Sequence, residues 1–205
     1  MPMARLKKLP LSYFHNPDPV ALARDLLGKV LVTEFDGELT SGRIIETEAY
    51  HGTQDKASHA YKGRTKRTKV MFGAGGRAYV YLCYGLHQMF NIVTNVEGIP
   101  HAILVRALEP LEGVEAMLRR TGKKAVDPTL TRGPGNVGKA LGFHVSQCGV
   151  PLNSAELYIG DDGFRYSDGA VGVSARIGVA YAGEDAALPY RFFVTGHPSV
   201  SGRNR

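Results

Sequence analysis

Apolar residues recur at helical spacing soon after the start of the chain. Val20, Leu22, Ala23, Leu26 and Leu27 fall near one face, with Asp18 placed to cap the helix, Pro19 at its first position and Gly28 at its stop. The period then shortens to two. Residues 29–35 read as a strand, Asp36-Gly37 as a hairpin turn, and residues 42–50 as the returning strand. The run R-A-Y-V-Y-L-C at 77–83 is strand-like. Residues 91–96 and 102–108 flank the turn Glu97-Gly98-Ile99-Pro100 and predict a further hairpin. Helical spacing returns after Glu109-Pro110, where Leu111, Val114, Met117 and Leu118 share a face, and a shorter helix is expected after Gly133-Pro134-Gly135. Residues 175–180 and 190–194 read as strands again. Hairpin turns outnumber strand–helix–strand units. This pattern predicts an α+β fold: a single mixed domain over 1–205, with a curved, mostly antiparallel sheet flanked by helices.

Composition narrows the class. Of 205 residues, 43% are hydrophobic and 21% charged, which supports a packed core and argues against disorder. No apolar run reaches the roughly 18 residues of a membrane span, and the basic start lacks the apolar stretch of a signal peptide. Cys83 and Cys148 are too few for a disulfide scaffold or a metal cluster, so a reducing, cytoplasmic setting is expected. The net charge of +6 is unevenly spread. From Lys56 to Val96 there is no Asp or Glu, whereas Lys62, Arg64, Lys66, Arg67 and Lys69 cluster there, interleaved with Tyr61, Phe72, Tyr79, Tyr81, Tyr84 and Phe90. Such a segment either combines phosphate attraction with stacking surfaces for bases or is a solvated loop beside an aromatic strand.

Several residues suit chemistry. Alternation puts Ile44, Glu46, Glu48 and Tyr50 on one strand face. Two carboxylates beside a tyrosine are either solvated surface charges or a general base against an aromatic wall. His59 follows nine residues after Tyr50 and is either structural or catalytic. Tyr84, beside Gly85 at a strand end, is either an edge tyrosine or a side chain able to wedge into stacked bases. The run Gly133–Ala140 approaches a phosphate-binding loop, but Ala140 stands where a Mg²⁺-holding hydroxyl is required and no apolar strand precedes it. A nucleotide triphosphatase is disfavoured. The histidines show no metal-ligand spacing, and neither metal nor cofactor is expected.

Longer blocks carry a resemblance. G-R-I-I-E-T-E-A-Y-H-G at 42–52, Asp55 and A-S-H at 57–59 are similar to the alkyladenine (3-methyladenine) DNA glycosylase family. So are G-R-T at 63–65, Met71-Phe72, Y-V-Y-L-C-Y-G at 79–85, Asn91, L-V-R-A-L-E-P-L-E-G at 104–113, Gly133-Pro134-Gly135, and R-I-G-V-A-Y-A-G-E at 176–184. The resemblance runs from about Tyr13 to about Ser201. Asp185 departs from it where an aromatic is frequent, one extra residue lies between Asn91 and Arg106, and Leu86 and His87 differ in size from the usual neighbours of the wedge.

The resemblance implies a monofunctional repair enzyme that flips alkylated or otherwise damaged purines out of duplex DNA and hydrolyses the N-glycosidic bond. It implies Glu48 as the base activating water, Arg106 as its partner, and Tyr50, His59, Tyr81 and Asn91 as the base pocket. Tyr84 would intercalate, and Arg64, Lys66, Arg67 and Lys69 would meet the DNA backbone. The expected partner is double-stranded DNA containing damaged purines, with no membrane association. The expected state is a monomer, cytoplasmic and nucleoid-associated in a bacterial host. The alternative is a module of the same fold that binds nucleic acid without chemistry.

Overall fold

The structure is a computed structural model that describes residues 6–202. In chain order it comprises β1 (Lys7–Lys8), α1 (Pro19–Asp25), β2 (Val30–Phe35), β3 (Glu38–Tyr50), β4 (Arg77–Cys83), β5 (His87–Thr94) and β6 (His101–Glu112). Then come α2 (Val114–Thr121), α3 (Pro134–Leu141), β7 (Leu157–Asp161), β8 (Val171–Ser174) and β9 (Arg191–Val194), with short 3₁₀ turns between. The strands form a curled antiparallel sheet in the order β1-β7-β2-β3-β6-β5-β4, with β9 joined to β3 and β8 to β9. The α+β expectation holds. The three helices pack with this sheet around a core that includes Leu22, Leu26, Ile44, Phe90, Ile92, Ile103, Met117, Leu141 and Phe143.

Local signals explain the elements they announce. Asp18 accepts the amides of Val20 and Ala21 at 2.8 and 3.0 Å, which satisfies two of the free donors at the start of α1. The β2–β3 hairpin turns through Asp36 and Gly37, both at positive φ, as the Asp-Gly pair requires. The glycines of α3 serve packing. A Cβ at Gly138 would collide with the backbone carbonyl of Gln88 on β5, so the helix lies flush on that strand.

Two expectations fail for identifiable reasons, and two short strands go unannounced. The helix anticipated from Glu109 starts only at Val114, because residues 109–112 continue β6. Pro110 is tolerated there at a register shift opposite Gly42, where the ladder is already interrupted. Residues 175–180 form no strand; β8 lies earlier, at Val171–Ser174, and the chain after it turns inward to bond side chains. The short strands β1 and β7 carry no strong alternation, so the sequence pattern does not announce them.

The pivotal element is β3. Its first half pairs with β2 from Glu38↔Phe35 to Arg43↔Val30, and the same edge then pairs with β9 from Glu46↔Phe193 to Glu48↔Arg191. Its other edge pairs with β6 from Ser41 to Tyr50, with register shifts between Ser41 and Gly42, between Ile44 and Glu46 and between Glu46 and Thr47. Bulges of this kind re-aim side chains and are enriched beside active sites.

Candidate active site

Between the curled sheet and the connections around it lies a cavity of about 390 Å³. Tyr50 from β3, His59 and Arg67 from the 51–76 connection, Tyr79 and Tyr81 from β4, Asn91 from β5, Arg106 from β6 and Ile177 all reach its wall. The structure thus gathers residues that lie far apart in the chain.

Glu48 stands directly behind this wall and is fully buried. Its Oε1 accepts the Ile177 amide at 2.7 Å and faces Arg106 Nη1 at 3.2 Å. Its Oε2 accepts the Tyr50 hydroxyl at 2.8 Å. All three partners line the cavity, so the carboxylate is one contact away from it. Burial, and then the Glu48 charge, push the Tyr50 phenol well above its usual range, so it stays protonated and donates. Arg176 lies over the Tyr50 ring at 4.8 Å and forms a buried ion pair with Asp55. This pair braces the ring.

Glu46 is also fully buried, which excludes the solvated-face reading of the strand. Arg106 donates through Nε to Glu46 Oε1 at 3.1 Å and through Nη2 to Ser201 Oγ at 3.1 Å, besides facing Glu48. Burial opposes its charge, but Glu48 and Glu46 together hold its pKa above the ordinary arginine value.

The aromatic side of the cavity is equally interlocked. His59 Nδ1 shares a 2.8 Å hydrogen bond with the Tyr79 hydroxyl, and its ring meets Tyr81 edge-on at 4.5 Å between centroids. Burial, and then the Arg67 charge, bring the His59 pKa down to about 4, so the imidazole is neutral near pH 7. Asn91 donates its amide to the backbone carbonyls of Tyr79 and Met89 at 3.2 and 3.4 Å, which fixes its orientation. Tyr84 sits at the tip of the β4–β5 hairpin, 91% exposed, with φ 50°, followed by Gly85 at φ 69°. Leu86, 78% exposed, is its neighbour.

Among the four residues expected on the DNA backbone, Arg64, Lys66 and Lys69 are exposed and lie outside the cavity wall. Arg67 differs. Its guanidinium turns to the cavity, 5.0 Å over the Tyr81 ring and 3.2 Å from the His59 nitrogens. Sequence reasoning misses the bonding of Tyr79, although its alternation with Tyr81 signals a shared face. It also misses Ile177 and Tyr181 in the cavity wall, and Arg191 and Ser201 as partners of Glu46. No local spacing reveals those. Among the described residues there is no cluster of side chains fit to hold a metal ion, and no helix is long and apolar enough to cross a membrane.

A family model described as methylpurine-DNA glycosylase (MPG) matches residues 13–198. A Chlamydia abortus protein carrying the provisional name 3-methyladenine DNA glycosylase is 46% identical over 188 residues, 91% of this chain and 97% of that one. Similar proteins of the same provisional name occur in Chlamydia pneumoniae, 44% identical over 93% of this chain and 96% of that one, and in Desulfitobacterium hafniense, 42% identical over 92% and 96%.

Proposed function

We propose that this chain, which belongs to the methylpurine-DNA glycosylase family, excises damaged purines from duplex DNA by hydrolysing their N-glycosidic bond with a water activated by Glu48. The observation that carries this reading is a fully buried carboxylate held by Arg106, Tyr50 and a backbone amide at the wall of an aromatic cavity.

A glycosidic bond inside a stacked duplex is out of reach, so the nucleotide must leave the stack at a cost of a few kcal/mol. Tyr84, projecting from a tight turn, is suited to fill the vacated space. Tyr50, His59 and Tyr81 supply faces and edges for the everted base, and stacking on such groups is worth about 1–3 kcal/mol per base. A purine made cationic by methylation is drawn more strongly to an aromatic face than a neutral one. Asn91, its amide fixed by two carbonyls, crowds the 2-amino group of guanine in this reading.

As the glycosidic bond lengthens, the sugar gains oxocarbenium character. Glu48 takes the proton of the attacking water and its charge opposes the developing cation, while Arg106 orients water and carboxylate together. General-base assistance is worth about 10²–10⁴ in rate, and the rest comes from positioning and the field of the pocket. Among the described residues no lysine lines the cavity, which supports water rather than an amine as nucleophile and a product left as an abasic site with its strand intact.

The test is release of free 3-methyladenine from alkylated duplex DNA. Glu48→Gln is expected to lower excision by about 10²-fold or more while keeping affinity for lesion-bearing duplex. A variant that still excises at the native rate, or a native protein that binds DNA and frees no base, defeats the reading. Borohydride added during turnover is expected to trap no protein–DNA adduct.

A further inference from the structure

The two buried glutamates of β3 are treated very differently by their surroundings. Glu48 is bonded to three residues of the cavity wall, whereas Glu46 shares Arg106 with it and is otherwise held by Arg191 and Ser201, which lie outside that wall. Its Oε1 receives Arg106 Nε at 3.1 Å, Arg191 Nε at 2.7 Å and the Ser201 hydroxyl at 2.8 Å, and its Oε2 receives the Ser201 amide at 2.7 Å. Arg191 is itself tied to the Ser201 carbonyl at 2.6 Å and to Ser174 Oγ at 2.9 Å. The cluster is balanced, with two carboxylates against two guanidiniums, and each of the three nitrogens of Arg106 has a separate acceptor: Glu46, Glu48 and Ser201.

A guanidinium is a planar fork that prefers to close on one carboxylate through two parallel bonds. Arg106 does not close on Glu48 that way, because Glu46 and Ser201 claim its Nε and Nη2. We propose that Glu46, held by Arg191 and Ser201, is a positioning residue that divides the charge of Arg106 between two carboxylates and thereby keeps Glu48 a competent base. This inference rests on the reading of Glu48 as general base. It also accounts for the division of labour within Glu46-Thr47-Glu48: one acid holds the arginine from behind, and the other is bonded to the residues that line the cavity.

The direction of the effect follows from charge. The groups facing Glu48 are Arg106 from β6, Tyr50 on its own strand, the Ile177 amide with Arg176 behind it, Tyr181 from the 3₁₀ turn beyond, and Glu46 through Arg106. Neutralising Glu46 removes a nearby negative charge and frees Arg106 to pair fully with Glu48. Both changes favour the ionised base at lower pH and weaken it as a proton acceptor.

The experiment compares native protein, Glu46→Gln, Glu46→Asp and Ser201→Ala in single-turnover release of 3-methyladenine across a pH series, alongside affinity for a duplex bearing an abasic-site analogue. Glu46→Gln is expected to lose about 10²-fold in excision rate, the scale set by small misplacements at a reacting centre. Its acid limb should move to lower pH, and its duplex affinity should be unchanged. Glu46→Asp should recover part of the rate, and Ser201→Ala, which removes a single hydroxyl bonded to Glu46 and Arg106, should show a smaller loss with the limb moved the same way. A native rate and native acid limb in Glu46→Gln overturn the inference, as does a rate loss matched by an equal loss of duplex affinity, which marks a merely structural role. If native protein itself frees no base, the underlying reading falls and this inference falls with it.

Discussion

A buried imidazole resists a proton, and among the described residues burial lowers the pKa of His59, His101 and His197, furthest in the first two. Burial and then the Arg67 charge bring His59 down to about 4, and burial with His51 against its ring brings His101 down to about 4. Both folded values lie below the ordinary 6.5, so between about pH 4 and 6.5 the unfolded chain binds more protons than the folded one. Stability from these groups is therefore complete above that window and falls as pH drops through it. Thermal melts at stepped pH are expected to show the decline, and His101→Gln should flatten it; an unchanged slope would assign the decline to other groups. At this scale the sequence is partly readable. Alternation places Glu46, Glu48 and Tyr50 on one face, but spacing alone treats the two acids alike. What separates them is Ser201, 155 residues away, and Arg191, 145 residues away.

The β4–β5 hairpin shows an element built against its own propensity. Its turn and the β2–β3 turn both use positive φ at successive residues, yet one employs Asp36 and the other Tyr84. A large side chain in the left-handed region costs roughly 1–2 kcal/mol, and such strain tends to persist where a side chain has a task. Tyr84→Gly relieves it, at the expense of a more flexible unfolded chain. The variant is thus expected to melt no lower than native protein while losing at least about tenfold in excision, because unstacking a base step costs a few kcal/mol. A variant with a lowered melting point and native excision would remove Tyr84 from the role of wedge. Elements whose signals are local, such as α1 with its Asp18 cap and the Asp36-Gly37 hairpin, are legible in the sequence. The segment after Ser174 is not, because Arg176 and the Ile177 amide are drawn inward by Asp55 and Glu48, partners more than 120 residues earlier.

Over the whole molecule, the excess of cations is concentrated on the connection that also builds one wall of the cavity. Arg64 and Lys66 are exposed there. Replacing both by Ala is expected to reduce the log–log salt slope of duplex binding by about 0.9 for each phosphate that is no longer neutralised. A slope that does not change would assign the backbone-binding role to another face. The charge pattern is plain from the sequence, whereas the inward turn of Arg67 depends on Tyr81 and His59 arriving from elsewhere in the fold. Because β3 meets β2 and β9 in succession along one edge and β6 along the other, inserting or deleting one residue within it would shift three ladders at once and rotate both acids to the opposite face. Length variation should therefore be tolerated in surface connections such as 123–129 and be lethal to activity between 38 and 50, so that a library of single-codon insertions would leave a gap over that strand.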